Sequence, residues 1–174
     1  MADLVELEAR VQALEDIRAI KTLKYRYLRA CDRKDPDGVR DCLDPVACVI
    51  AYEGFPRFES REAFVDIFAA MACKPSIIDM HHGQNPDITL TGPDSATGVW
   101  DLFFHSMDTE ARTALQMGCA YLDHYTRRDG RWWISHTETV RTSFLLQQVA
   151  ADGAPRVLVM GAPPATPYGA VVEA

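Results

Sequence analysis

The chain has 174 residues, 48% of them hydrophobic, and this length and composition predict one domain with one sizeable core. Its formal net charge of -7 and the scattering of its 18 Lys and Arg residues argue against a nucleic-acid partner, and no apolar run approaches the roughly 18 residues of a membrane-spanning helix. The five cysteines are odd in number and lack C-x-x-C spacing, so neither a disulfide framework nor a zinc site is expected.

The first predicted element is one long amphipathic helix over residues 4–33, which the pair Asp35-Pro36 ends. Its acidic start has no basic-then-apolar signal sequence, so we expect a cytoplasmic protein. Residues 1–15 carry only a narrow leucine stripe, whereas the apolar face broadens from Asp16 onward. The first turns are therefore predicted to overhang the domain and to contact a neighbouring subunit.

Two further helices and a mainly antiparallel sheet are predicted after the first helix. A short helix over residues 37–43 precedes a β-rich run over residues 46–52, and Ser60 is a plausible N-cap for a third helix that ends near Lys74-Pro75. Strands are then predicted over four segments that turn sequences separate, namely residues 78–91, 96–105, 114–127 and 131–140. Helices followed by a meander indicate an α+β domain whose strongly bent sheet wraps around helices on one face.

The end of the chain differs in composition from the rest. Residues 1–148 are predicted to form the single domain, and residues 149–174 are rich in Pro, Gly and Ala. This tail is expected to be a lid, a docking arm between subunits or a partly disordered segment.

The sequence lacks the common signatures of catalytic and nucleotide-binding proteins. G-x-S-x-G, a P-loop, a dinucleotide-binding glycine motif and H-E-x-x-H are all absent. Acid-base chemistry remains open to a set of polar side chains, which comprises Tyr25, Tyr27, Asp32, Asp35, His81, His82, Asp101, His105, Tyr121, Asp123, His124, His136 and Arg141.

Two adjacent histidines lie in the segment MHHGQNPDI, which leads into a predicted strand. Alternation places His81, Gly83 and Asn85 on one side of that strand and His82 on the other, so only one histidine can face a pocket. The alternation does not decide which one, because the Gly and Pro residues nearby favour a bulge that would reset it.

Five separated stretches resemble one family in the same order along the chain. They are IRAIKTLKYRYLRACDRKD, MHHGQNPDITL, SATGVWDL, GCAYLDHYTRRDGRWWI and ETVRTSF, and together they span about residues 15–146. The pattern resembles the SnoaL-like branch of the nuclear-transport-factor-2-like superfamily, in particular the bile-acid 7α-dehydratases and more loosely the lindane dehydrochlorinases and scytalone dehydratases. This resemblance implies a curved mixed sheet that forms a cone with three helices, and a homodimer or homotrimer.

The resemblance also implies a catalytic set. The family's tyrosine falls on Tyr27, its aspartate on Asp32, its histidine on His81 rather than His82, and a basic residue after the last strand on Arg141. A histidine is suited to remove a proton next to a carbonyl, and a carboxylate on its other ring nitrogen fixes the tautomer. We expect Asp32 and His81 to meet inside a dry, closed hollow, with Tyr27 assisting a leaving hydroxyl or an enolate and Arg141 holding an anionic group.

The expected ligand is a small, flat, hydrophobic molecule, and no cofactor or metal ion is expected. A polar contact is assigned to Asn85 and the alternative base to His82. Apolar and aromatic residues are predicted to line the pocket, namely Tyr52, Phe55, Phe64, Phe68, Met71, Trp100, Phe104 and Tyr121.

The predicted function is a cofactor-independent lyase that removes water from a steroid-like or polycyclic hydroxy compound. A double-bond isomerase or cyclase with the same Asp-His dyad is the near alternative, because both reactions begin with the same proton abstraction. A non-catalytic small-ligand binder, or a structural subunit like the β subunits of ring-hydroxylating dioxygenases, is the alternative from a different class.

Overall fold

A computed structural model describes residues 3–161 as three helices followed by a long antiparallel meander. The helices are α1 (Leu4–Asp32), α2 (Pro36–Arg40) and α3 (Arg61–Met71). The strands are β1 (Val49–Tyr52), β2 (Ile77–Gly92), β3 (Ser95–Asp108), β4 (Thr113–Arg128), β5 (Arg131–Val149) and β6 (Pro155–Gly161). Within residues 3–161, no helix has both the length and the apolar character that crossing a membrane requires.

The helix boundaries follow the capping residues of the sequence. After α1, Lys34 takes a positive φ of 57°, and the side chain of Asp35 accepts a hydrogen bond from the backbone N–H of Gly38 to begin α2. Ser60 caps α3 by accepting the N–H of Ala63, which confirms the predicted start of that helix.

The six strands form one curved mixed sheet in the order β1-β5-β4-β3-β2, and β6 also pairs with β5. β1 runs parallel to β5, and all other pairs are antiparallel. The sheet is curled but does not close into a barrel, and with the N-terminal helices it forms the predicted α+β cone, which is confirmed. β2 lies at one edge of this sheet, and α1 packs against it.

Two turn features shape the long strands. β4 and β5 are joined by Asp129 and Gly130, which both have positive φ angles, of 50° and 75°. Such a two-residue turn matches the twist of a hairpin, as the Asp-Gly sequence predicts. In β2 the pairing with β3 shifts between Gln84 and Asp87, and Asn85 has a φ of 48°, so the predicted bulge is present.

The last part of the described chain extends the sheet further than the sequence indicates. β5 continues to Val149 rather than ending at residue 140, because the polar and apolar residues after Val140 still pair with β4. β6, which falls in the predicted Pro/Gly/Ala-rich tail, pairs antiparallel with the end of β5. Residues 162–174 lie outside the described part, so the lid or docking arm stays a prediction there.

The core lies between the helices and the concave face of the sheet. Its buried side chains include Ile20, Leu23, Tyr27, Leu28, Val39, Ile50, Phe64, Val65, Phe68, Trp100, Leu102, Phe104, Tyr121, Tyr125 and Ile134. The first turns of α1 are outside this core, because Leu4, Val5, Leu7, Val11 and Leu14 are exposed. Their contact with a second subunit stays a prediction.

Candidate active site

The end of α1 and the edge strand β2 bring together a carboxylate and an imidazole. Oδ1 of Asp32 lies 2.6 Å from Nδ1 of His81 and also accepts the backbone N–H of His81 at 3.0 Å. Because an ionised carboxylate can only accept hydrogen bonds, Nδ1 is the donor and the lone pair of the neutral ring lies on Nε2. The bond therefore fixes both the tautomer and the orientation of the ring.

The pair is half-buried rather than enclosed. The side chains of His81 and Asp32 are 15% and 29% exposed, and the ring of His81 lies 4.6 Å from the ring of Phe104 on the core side. We expected a dry, closed hollow, and the structure differs because β2 is an edge strand that has no further strand on its outer side within residues 3–161. One side of the imidazole thus faces the core and the other lies close to solvent.

The close approach of β2 to α1 decides which histidine meets the helix. A Cβ atom on Gly83 would lie 2.6 Å from Cδ1 of Leu28, so the strand passes directly over the helix at this glycine. His81 lies two positions before Gly83, ahead of the bulge, and therefore shares its face. His82 occupies the alternate position of the strand and is exposed.

A groove of about 410 Å³ opens beside the pair, between α1 and β2. Its lining residues are Tyr25, Leu28, Arg29, Asp32, His81, His82, Gly83 and Gln84. The imidazole and the carboxylate are thus accessible from this groove.

Tyr27 lies on the core face of α1 and does not line the groove. Its hydroxyl is 2.5 Å from the hydroxyl of Tyr52, and burial raises the pKa of both phenols above their usual range. Tyr27 and Asp32 are five positions apart on α1, which corresponds to a rotation of roughly 140° around a helix. The structure therefore joins Tyr27 to Tyr52 and Asp32 to His81, as two separate hydrogen-bonded pairs.

Arg141 is buried in β5, and only some of its hydrogen-bond donors have an acceptor among the described residues. Its backbone N–H and its Nη2 donate to the two carboxylate oxygens of Glu53, at 2.8 Å and 3.0 Å. Burial acts to raise the pKa of Glu53, but these bonds outweigh it and the pKa is lowered. Nε and Nη1 of Arg141 are buried and find no acceptor within residues 3–161. A buried guanidinium with two unused donors can bind an oxygen of a ligand.

A second buried ion pair, which the sequence analysis missed, joins Lys24 to Asp123. Nζ of Lys24 lies 2.8 Å from Oδ2 of Asp123 and 3.5 Å from the centre of the Tyr121 ring, and both charged side chains are 0% exposed. Burial lowers the pKa of Lys24, while Asp123 opposes this shift. Lysine usually reaches solvent, but the helical spacing of Lys24 from Tyr27 and Cys31 places it on the buried face and could have revealed it.

The predicted pocket residues separate into a buried and an exposed group. Trp100, Phe104, Tyr121, Phe64 and Phe68 belong to the core, and Tyr52 packs against it. Two apolar residues lie at the surface instead, because Phe55 is in the turn after β1 and Met71 ends α3, and they are 37% and 54% exposed. Asn85 turns outward at the bulge and donates to Asp101 at 2.8 Å.

Several groove residues had no role assigned to them at this site, among them Tyr25, which was only one of the polar candidates, and Arg29, which was not a candidate. Tyr25 and Arg29 lie one turn apart on α1 and precede Asp32 at helical spacing, so the sequence contained a signal for them. Among residues 3–161, no three His, Cys, Asp or Glu side chains are grouped so as to hold a metal ion.

The fold and the sequence both match known proteins. The profile of the SnoaL-like domain family matches residues 12–138. The solved structures that are similar to this chain include the following three. A scytalone dehydratase-like protein from Novosphingobium aromaticivorans is 18% identical, with a TM-score of 0.69, over 91% of this chain and 96% of that one.

Hexachlorocyclohexane dehydrochlorinase LinA-type3 from Novosphingobium barchaimii LL02 is 19% identical, with a TM-score of 0.71, over 89% of this chain and 99% of that chain. A protein from N. aromaticivorans described as ntf2-like with a cystatin-like fold is 20% identical, with a TM-score of 0.67, over 88% and 96% of the two chains. At these identities the likeness concerns the fold. By the match of its sequence over residues 12–138, the chain belongs to the SnoaL-like domain family.

Proposed function

We propose that this protein is a cofactor-independent lyase in which His81 is the base and Asp32 orients it. The observation that carries the proposal is the 2.6 Å contact between Nδ1 of His81 and Oδ1 of Asp32. It leaves Nε2 as the basic atom, and the carboxylate stabilises the imidazolium that forms on proton transfer. Family membership and the half-buried position of the pair support the same role.

The reaction begins at a carbon next to a carbonyl group. Nε2 of His81 removes a proton from that carbon, and the electrons of the C–H bond form an enolate. The enolate then reforms the carbonyl as the C–O bond to the neighbouring hydroxyl breaks. The departing hydroxyl takes up the proton held by His81 and leaves as water, so the base returns to its neutral form.

The buried polar groups of the core are assigned to the oxygens of the substrate, which requires the substrate to extend from the groove past the imidazole into the core, because none of these groups lines the groove. Tyr27 and Tyr52 keep their protons, because burial raises the pKa of each phenol, and such a hydroxyl pair can donate to an enolate oxygen or a leaving hydroxyl. Arg141 binds a carbonyl or anionic oxygen through Nε and Nη1, which have no acceptor among the described residues.

The substrate is proposed to be a hydrophobic, steroid-like or polycyclic hydroxy-carbonyl compound. This class rests on the sequence resemblance to bile-acid 7α-dehydratases and on the aromatic side chains around the pair, of which Phe104 is in direct ring contact with His81. Two structural relatives are described as a dehydratase and a dehydrochlorinase, and both names denote eliminations, which supports a lyase.

A double-bond isomerase is the second candidate, and the same bond favours it. Nδ1 of His81 is held by Asp32 whichever reaction follows, and an isomerase returns the proton to another carbon instead of releasing a hydroxyl. The two reactions therefore share their base and differ in their products.

Mass spectrometry of substrate candidates in D₂O distinguishes these functions. We expect β-hydroxy ketones with a steroid or two-ring skeleton to lose one water, and His81→Ala to abolish this loss while the matched variant His82→Ala retains it. Deuterium uptake without loss of water would indicate the isomerase. Binding of the compounds without either change, or full activity of His81→Ala, would contradict the assignment of His81 as a catalytic base.

A further inference from the structure

One stripe of α1 forms a wall of the groove and combines an aromatic ring, a cation and the carboxylate of the catalytic pair. Tyr25, Arg29 and Asp32 follow one another at four- and three-residue steps, and all three line the groove. At the rise of an α-helix this stripe is about 10 Å long. It therefore has the length of a two- or three-ring molecule.

Tyr25 is a fixed aromatic surface at one end of the stripe. Its ring packs edge-on against the ring of Trp100, with centroids 5.6 Å apart and planes at 78°. Trp100 is fully buried, whereas Tyr25 is 39% exposed. The contact with the core holds the tyrosine ring in place, and its exposed part can pack against a flat ligand.

Arg29 carries an unpaired positive charge in the middle of the stripe. It forms no ion pair or hydrogen bond through its side chain with any described residue, whereas Arg26, less than one turn away, pairs with Asp41 at 2.6 Å. The chain has 25 Asp and Glu residues against 18 Lys and Arg. An arginine that remains unpaired in such an acidic protein keeps its guanidinium available for an anion.

Asp32 is the single carboxylate among the described residues that line the groove, and its Oδ1 accepts hydrogen bonds from His81 rather than from Arg29. The opposite wall contributes His82 and Gln84, which are exposed and can donate hydrogen bonds. From its described lining residues the groove thus offers several hydrogen-bond donors and one cation without an ion-pair partner to a ligand.

We propose that Arg29 binds a carboxylate, sulfonate or phosphate group of the substrate, and that the substrate of this protein is therefore an anionic ring compound. This inference rests on the proposed function, because the groove is lined by the same Asp32 and His81. A planar guanidinium binds such groups through two parallel hydrogen bonds, and Tyr25 packs against the ring that carries the anion. Arg29 is a specificity-determining residue in this role.

An NMR titration with two matched probes tests the inference without a substrate. Naphthoate and the neutral naphthylmethanol are added to the full chain, and the ring signals of His81 and His82 and the amide signal of Gly83 are followed. We expect naphthoate to bind the groove more tightly, Arg29→Gln to weaken naphthoate about tenfold, and naphthylmethanol to bind both proteins equally. Added salt should weaken naphthoate alone.

Arg10→Gln is the control, because Arg10 is exposed on the same helix, lies outside the groove and changes the net charge by the same amount. Equal binding of the two probes, an unchanged naphthoate affinity in Arg29→Gln, or signal shifts confined to other parts of the chain would overturn the inference. If neutral substrates lose water and any of these results is found, the lyase proposal stands and the anion site at Arg29 is rejected. If the probes bind the groove as expected but no elimination activity is found, the anion site stands and the lyase proposal is rejected.

Discussion

A single oxygen of Asp32 accepts two hydrogen bonds from His81, one from the ring at 2.6 Å and one from the backbone at 3.0 Å. The end of α1 is thereby tied to β2 at one residue, and the same contact sets the direction of the imidazole. The structural role of Asp32 coincides with its proposed catalytic role, because the carboxylate that holds the strand in place also holds the proposed base.

The passage of β2 over α1 depends on Gly83. Replacement Gly83→Ala would put a Cβ atom 2.6 Å from Cδ1 of Leu28, and we expect the free energy of unfolding to fall by about 1–3 kcal/mol. Urea denaturation of the variant measures this loss. In a Leu28→Ala background the same replacement should cost much less, since the methyl group that it meets is gone. Equal costs in the two backgrounds would show that Leu28 is not the obstacle.

Removing one partner of the buried ion pair between Lys24 and Asp123 should lower the free energy of unfolding more than removing both charges. Lys24→Met leaves a carboxylate buried with one hydrogen bond, from the hydroxyl of Tyr125, and we expect a loss of about 3–5 kcal/mol in the free energy of unfolding. The double variant Lys24→Met/Asp123→Asn removes both charges and keeps an acceptor for Tyr125. It should be more stable than Lys24→Met alone, as measured by urea denaturation. A double variant that is less stable would mean that the charges themselves stabilise the core.

The free energy of unfolding should decrease in alkali, because the buried thiols stay protonated in the folded chain and ionise in the unfolded chain. Burial raises the pKa of Cys31 from 9.0 to about 12, so the folded chain keeps a proton that the unfolded chain releases above pH 9. The contribution of the protonated Cys31 thiol to the free energy of unfolding is fully present below pH 9 and is lost as the pH rises towards 12. For this thiol we expect a loss of about 2–3 kcal/mol by about pH 11.

Cys31→Ala should therefore show a smaller decrease in the free energy of unfolding between neutral and alkaline pH than the unmodified chain, whatever its stability at pH 7. Cys73→Ala is the matched control, because Cys73 is only partly buried. Identical pH profiles for Cys31→Ala and the unmodified chain would contradict the assigned protonation of this thiol.

The sequence contained clear signals for the elements that are defined locally. Ser60 caps α3 because its hydroxyl can reach the N–H of Ala63, and the Asp129-Gly130 turn follows from the positive φ angles that these residues tolerate. The far end of β5 was missed for a non-local reason. Its residues after Val140 are held by pairing with β4 and β6 rather than by any apolar alternation of their own.

The candidate site was predictable in its two central residues and less so in its surroundings. Asp32 and His81 came from the family resemblance, since strand parity alone left His81 and His82 as alternatives. The direction of His81 depends on the contact of Gly83 with Leu28, which no spacing in the sequence encodes. The burial of Lys24 was likewise missed, because its partner Asp123 lies on a strand distant in sequence.

The tautomer of His81 in the unmodified protein is the measurement closest to the central claim. Long-range ¹H–¹⁵N NMR spectra at neutral to mildly alkaline pH should show a protonated Nδ1 and a basic Nε2 for His81, and the Asp32→Asn variant should shift the ring towards the Nε2–H form. Asp87→Asn, which changes an exposed residue of the same strand, should leave the spectrum unaltered. An Nε2–H ring in the unmodified protein, or a spectrum that Asp32→Asn does not change, would contradict the assignment of His81 as a base oriented by Asp32.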